Sequence, residues 1–205
     1  VRCNPSQFKG FTRKAANMFI QTESTPNPAT LKFLPGRDVA GEGHAADFPT
    51  VEAAARSPLA ERLFETDGVT GVFFGADFVT VTKGEGVEWQ HIKPAILGAI
   101  MEHFTSGAPL LNDKAAEGET PPQADYSSEE AEIVDQILEL LETRVRPVVA
   151  QDGGDITFQG FDKGIVFLNM QGSCAGCPAS TQTLKNGVEN MLRHYVPEVT
   201  EVRAV

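Results

Sequence analysis

The chain has 205 residues, 41% of them hydrophobic, enough for one or two compact units of roughly 80 to 100 residues each with its own core. A formal net charge of −11 argues against a nucleic-acid partner, because phosphate binding depends on clustered Lys and Arg. No stretch approaches the roughly 20 apolar residues of a membrane span, and three cysteines do not make a secreted disulfide framework, so no membrane partner and a reducing compartment are expected.

Residues 1–17 carry Arg2, Lys9, Arg13 and Lys14 and no acid. This basic lead fits the remnant of an organellar transit peptide; the plainer and preferred reading makes it a disordered extension upstream of a natural start at Met18. The location expected on that reading is a bacterial cytoplasm, with the mitochondrial matrix as the alternative.

Residues 18–106 read as strand, strand, helix, strand, strand, helix. Phe19 to Thr22 and Thr30 to Leu34 flank the turn-rich Pro26-Asn27-Pro28, and Pro35-Gly36 closes the second run. Ser57 caps a helix that opens on Pro58 and places Leu59, Leu63 and Phe64 at helical spacing. Val69 to Phe74 and Phe78 to Thr82 form a hairpin across Gly75-Ala76-Asp77. Ile92, Ile96, Leu97, Ile100 and Phe104 make the apolar face of a last helix that Gly107 stops, with Trp89 at the edge of its core.

In residues 107–127 the periodicity disappears and Pro, Ala, Gly, Glu and Asp dominate, which predicts a solvated linker. Residues 128–205 then form a second unit. Ser127 and Glu130 make a capping box for a helix with Ile133, Ile137, Leu141, Val145 and Val148 on one face. After Gly153-Gly154, Ile156 to Phe161 and Ile165 to Met170 alternate as a hairpin through Asp162-Lys163-Gly164. Pro178 opens a second helix with Leu184, Val188, Met191, Leu192 and Tyr195 inward; Pro197 ends it before a short strand, Val199 to Val202. The fold class predicted is α/β (α+β): two small domains, each a small sheet packed with two helices, joined by an acidic Pro/Ala-rich linker.

The segment Gly172-Ser173-Cys174-Ala175-Gly176-Cys177-Pro178 is where this sequence points to chemistry. It is predicted as an exposed loop between a strand end and a helix start, where unpaired backbone N–H groups and the helix dipole lower thiol pKa. Two intervening residues let both thiolates face one centre, and Gly172 and Gly176 permit positive φ. A thioredoxin-like redox pair, a zinc ion shared by two chains and a structural pair are alternatives to an iron-sulfur cluster. The cluster is preferred: it wants four thiolates, one chain supplies Cys174 and Cys177, and a two-fold dimer completes the set. His44, His91, His103 and His194 lack ligand spacing to the pair. Asp152 and Asp155 are read as turn and strand-start residues, and Arg144 and Arg146 as complements to a helix dipole. No nucleophile triad, paired-carboxylate site or phosphate loop stands out, so the expectation is no enzyme.

Residues 129–205, with Arg146-Pro147, Asp152-Gly153-Gly154-Asp155 and the cysteine segment, resemble the C-terminal domain of NifU-type scaffold proteins. Residues 18–106, with Thr22-Glu23-Ser24-Thr25-Pro26-Asn27-Pro28 and Lys32-Phe33-Leu34-Pro35-Gly36, resemble the N-terminal domain of Nfu-type proteins of bacteria and mitochondria. The resemblance implies a cluster, commonly [4Fe-4S], bridged across a homodimer by Cys174 and Cys177 and delivered to apo iron-sulfur proteins, with cluster-assembly proteins acting upstream. The N-terminal domain, without cysteine after Met18, is expected to select partners or modulate the dimer.

Overall fold

The structure is a computed structural model that describes residues 19–41, 43–112, 126–175 and 178–205, with residues 178–181 described for their backbone only. Residues 1–17 with Cys3, Met18, most of the expected linker, and Cys177 lie outside the described residues.

The first unit is built on β1 (Gln21–Ser24), β2 (Thr30–Leu34), β3 (Ala46–Phe48), β4 (Val69–Phe74) and β5 (Val79–Lys83), in the order β1-β2-β5-β4-β3 and antiparallel throughout. Four strands were expected; β3 is the fifth. At three residues it is too short for alternation to announce it, and it is anchored by the fully buried Phe48 edge-on to Phe74. Asn27 shapes the turn between β1 and β2: its Oδ1 accepts from the Ala29 N–H at 3.0 Å and its carbonyl from the Thr30 N–H at 3.0 Å.

Three helices cover one face of this sheet: α1 (Val51–Ala54), α2 (Pro58–Phe64) and α3 (Trp89–Ser106). The Ser57 hydroxyl caps α2 by accepting from the Ala60 N–H, and Gly107 ends α3 at φ 71°. Phe33, Leu59, Leu63, Phe74, Val79, Val81, Ile96 and Ile100 are fully buried between them, each such side chain contributing about 1.5–3 kcal/mol. The chain stays on this core beyond Gly107. Leu110 and Leu111 pack against it, the Leu110 carbonyl accepts from the Ser57 hydroxyl, and the Asn112 N–H donates to the Arg56 carbonyl at 2.8 Å.

Strand alternation sends Lys32, Thr80 and Phe73 to the sheet's other face, in one row across β2, β5 and β4. A face turned to water would leave them exposed, yet they are only 7%, 1% and 2% exposed. The second unit covers them.

That unit begins with α4 (Ser128–Leu140), with the Ser127–Glu130 capping box formed in both directions. A π-helical turn, Leu141–Val145, leads into α5 (Arg146–Gln151). Its cause is Pro147, which has no N–H to give and whose ring would strike the carbonyl four residues back in a regular helix. The wider turn keeps Ile137, Leu141, Val145 and Val149 in phase, so Val149 is buried and Val148, expected inward, is 56% exposed.

Strands β6 (Gly154–Asp162) and β7 (Ile165–Gly172) form the predicted hairpin, closed by Lys163 and Gly164 at φ 49° and 84°, the two-residue turn that suits strand twist. Then α6 (Pro178–Tyr195) returns the chain so that β8 (Glu201–Ala204) pairs parallel to β7. Val188 and Leu192 are buried as expected, whereas Tyr195 is 46% exposed and lies under the Arg144 guanidinium. Val196, past the helix end, takes the inward place. No helix among the described residues is long and apolar enough to cross a membrane.

Candidate functional site

The loop after β7 is tied to the turn before β6 rather than extended into solvent. The Ser173 N–H donates to the Gly153 carbonyl at 3.2 Å, the Ser173 hydroxyl to the Asp152 carbonyl, and the Ala175 N–H to the Gly172 carbonyl at 3.1 Å. Gly172 takes φ 64°, which turns the chain back at the end of β7. In the described part of the expected exposed loop, Ala175 is exposed as expected, but Cys174 is corrected: it is 5% exposed and belongs to the core cluster of the second unit, which also holds Ile156, Met170 and Val188.

Gly154 makes this placement possible. A methyl group on it would lie 2.6 Å from the Cys174 Sγ and 2.7 Å from the Gln171 carbonyl oxygen, well inside contact distance. The sulfur occupies the space that a side chain at 154 would need.

Burial sets the state of this thiol. Loss of solvent pushes the Cys174 pKa up to about 11; the adjoining Ser173 hydroxyl opposes the shift, and the nearby Asp152 and Asp155 carboxylates add to it. A lowered pKa was expected from the helix start. In this arrangement desolvation prevails, and Cys174 is a neutral thiol rather than an activated nucleophile.

Asp155 lies under the loop and is 6% exposed. Arg146 grips it with two parallel hydrogen bonds, Nε to Oδ1 at 2.8 Å and Nη2 to Oδ2 at 2.7 Å, while Oδ1 also accepts from the Ile156 N–H at 2.8 Å. Arg146 reaches Glu142 as well, at 2.6 Å, and these partners hold its charge more firmly than the ordinary guanidinium. Asp155 stands at the start of β6, as expected, but Arg146 serves otherwise than the sequence reading expected. Arg146 is no dipole complement: it fastens α5 to the start of β6, directly below the cysteine loop. The signal was present in the Arg146-Pro147 and Asp152-to-Asp155 motifs, but no periodicity links positions nine residues apart.

Of the predicted ligands, Cys174 is placed at the head of this loop, and Cys177 lies outside the described residues. His44, His91 and His194 are exposed and His103 is buried in α3, in the other unit. Trp89 is half-buried against the first core.

Two family models match the chain. Residues 20–107 fit the scaffold protein Nfu/NifU N-terminal domain, and residues 137–203, a stretch that contains both Cys174 and Cys177, fit the NifU-like domain. Among curated proteins, the chain is 54% identical over 189 residues to the NFU1 iron-sulfur cluster scaffold homolog, mitochondrial, of Drosophila sechellia, covering 92% of this chain and 65% of that protein. The corresponding protein of Drosophila ananassae is 53% identical over 191 residues, covering 93% and 65%. The chain thus spans just under two thirds of the length of these relatives. Their names carry the mitochondrial location, which was the alternative to a bacterial cytoplasm. Among solved structures, a NifU-like protein from Saccharomyces cerevisiae has a TM-score of 0.42 and 28% identity, over 47% of this chain and 86% of that one.

Proposed function

Since this chain belongs to the Nfu-type family of NifU-like scaffold proteins, we propose that it carries an iron-sulfur cluster as cargo, bridged between two copies of itself by Cys174 and Cys177 of each, and passes it to apo iron-sulfur proteins. The observation that carries the reading is the match of a NifU-like domain to the residues that hold the one close cysteine pair of the chain. Two thiolates per chain and four per cluster make a dimer the natural loaded state. A cluster held by so few groups exchanges ligands readily: an acceptor's thiolates replace one chain's pair and then the other's. The preferred nuclearity is [4Fe-4S], clusters arrive from upstream assembly proteins, and the mitochondrial matrix replaces the bacterial cytoplasm as the proposed location. No bond of an organic substrate is made or broken, so the role is that of a carrier and not of an enzyme.

Anaerobic reconstitution with iron and sulfide, followed by light scattering and metal and sulfide assay on the same fractions, tests this. A brown dimer with one cluster per two chains is expected; one full cluster on a strictly monomeric chain would overturn the bridging. Bound zinc alone, or a colourless chain that reduces protein disulfides, would overturn the carrier role itself.

A further inference from the structure

The face of the first sheet that turns away from its helices meets the second unit at the cysteine loop and at the turn beneath it. The Lys32 Nζ–H groups donate to the carbonyls of Ala150 at 2.9 Å and Gln151 at 3.3 Å. The Thr80 hydroxyl donates to the Gly153 carbonyl at 2.7 Å, and the Phe73 ring lies within 2.9 Å of where a methyl group on Gly172 would stand. From the turn between β1 and β2, Asn27 reaches furthest. Only 5% exposed, it donates its Nδ2–H groups to the carbonyls of Ser173 at 3.3 Å and Ala175 at 3.4 Å, the residues on either side of Cys174.

These contacts fix the backbone on both sides of a cysteine whose sulfur points into the second unit. Cys174 is 5% exposed, with its Sγ seated beside Gly154, so presenting the sulfur to a second chain means moving it out of this position. A rotation of the backbone about Cys174 that turns it toward a second chain carries the Ser173 carbonyl away from Asn27. We infer that Asn27 is a positioning residue: through it the first unit holds the cysteine loop with its thiol inward, so that docking of the two units and presentation of Cys174 to a bridging cluster are alternative states. The inference takes its functional meaning from the carrier role proposed above. It gives the first unit a task that needs no ligand of its own, namely covering the site until loading displaces it.

Asn27→Asp isolates the clamp. The carboxylate keeps the oxygen that accepts from Ala29, lacks the donors, and sets negative charge against two carbonyls. The full-length apo-protein is treated with iodoacetamide, and Cys174 is followed by mass spectrometry with glutathione in the same tube as the rate reference. Loss of the two hydrogen bonds is expected to speed alkylation of Cys174 by about tenfold. Lys32→Met combined with Thr80→Val weakens the dock without touching the Asn27 turn and provides the test if Asn27→Asp does not fold; it is expected to raise the rate in the same direction. Wild-type alkylation rates in both proteins would overturn the inference. Cluster uptake is assayed separately: faster alkylation with no cluster on any form would sink the carrier role and support the clamp, whereas unchanged alkylation with normal uptake would sink the clamp alone.

Discussion

Arg146 and Asp155 face each other in a two-pronged ion pair, with nitrogen-to-oxygen distances of 2.8 and 2.7 Å, at the junction of α5 and β6. The Asp155 side chain is 8% exposed and that of Arg146 21%, so removing Asp155 leaves a largely desolvated guanidinium with Glu142 as its remaining ion-pair partner. Asp155→Leu is expected to cost about 3 kcal/mol in urea unfolding, whereas adding Arg146→Met to it should restore part of that loss. A double variant no more stable than the single one would show that the pair acts through its geometry rather than through charge burial.

His103 gives the first unit a pH dependence. Burial alone holds its pKa below the ordinary histidine value. Above about pH 6.5 both folded and unfolded chains carry it neutral. As pH falls through that value the unfolded chain takes up a proton that the folded chain still refuses, so stability declines until the folded pKa is passed. His103→Leu is expected to flatten this part of the stability curve, measured as the difference between the two proteins' urea midpoints. Parallel curves across the window would remove His103 as the cause.

The adjacent valines Val148 and Val149 report on the π-turn. Val149→Ala removes buried methyl groups and is expected to cost about 2 kcal/mol, while Val148→Ala should stay within about 0.5 kcal/mol. Equal costs in thermal unfolding would mean that the helix runs on in regular register.

That pair also shows where the sequence stops being legible. Local signals are legible: the Ser57 and Ser127 caps, the strand Thr30–Leu34, the turn at Lys163-Gly164 and the stop at Gly107 each depend on neighbours within a few residues. Val148 lies outside the expected place because a 3.6-residue period does not hold through Leu141–Val145, where the helix widens ahead of Pro147. Cys174 departs from expectation for a different reason. Its flanking glycines and the following proline suggest an exposed loop, and only the tertiary pairing of β6 with β7 brings Gly154 beneath it to receive the sulfur. The row Lys32, Thr80 and Phe73 mixes polar and apolar residues, as a solvated face does, so nothing in it announced that another unit lies on top.

Gly154 is expected to tolerate no side chain. The methyl group of Gly154→Ala would meet a backbone carbonyl at 2.7 Å as well as the Cys174 sulfur at 2.6 Å, and the carbonyl cannot step aside without breaking into β7. Overpacking of this kind costs about 1–3 kcal/mol; lifting of the cysteine loop relieves the sulfur contact, and the end of β7 at Gln171 shifts with it. Thermal unfolding should therefore show a modest loss, accompanied by faster alkylation of Cys174. A large loss of stability with Cys174 still protected would mean that the strand, and not the loop, gives way.

The burial of Cys174 changes how its substitution has to be tested. Cys174→Ser places a hydroxyl where the thiol now sits in the core cluster that also holds Ile156, Met170 and Val188, and burying a hydroxyl whose hydrogen bonds are poorly matched costs about 1–3 kcal/mol. Loss of cluster in that variant would therefore confound ligand removal with weakened folding. Cys174→Ala avoids the confusion, because it leaves only a small void and places no hydroxyl in the core. If Cys174 is a ligand, Cys174→Ala should keep the wild-type near-ultraviolet circular dichroism of the apo-protein and yet bind no stable cluster. Cys177→Ser, which removes the second proposed thiolate, should likewise lose the cluster. Both proteins should remain monomeric under reconstitution, since whatever is ligated only by the dimer draws chains together by mass action and is absent here. Iron and sulfide at wild-type levels in either variant would remove that cysteine from the ligand set. A dimer that persists without iron would show that the chains associate through a surface of their own, with the cluster placed afterwards in an interface already formed.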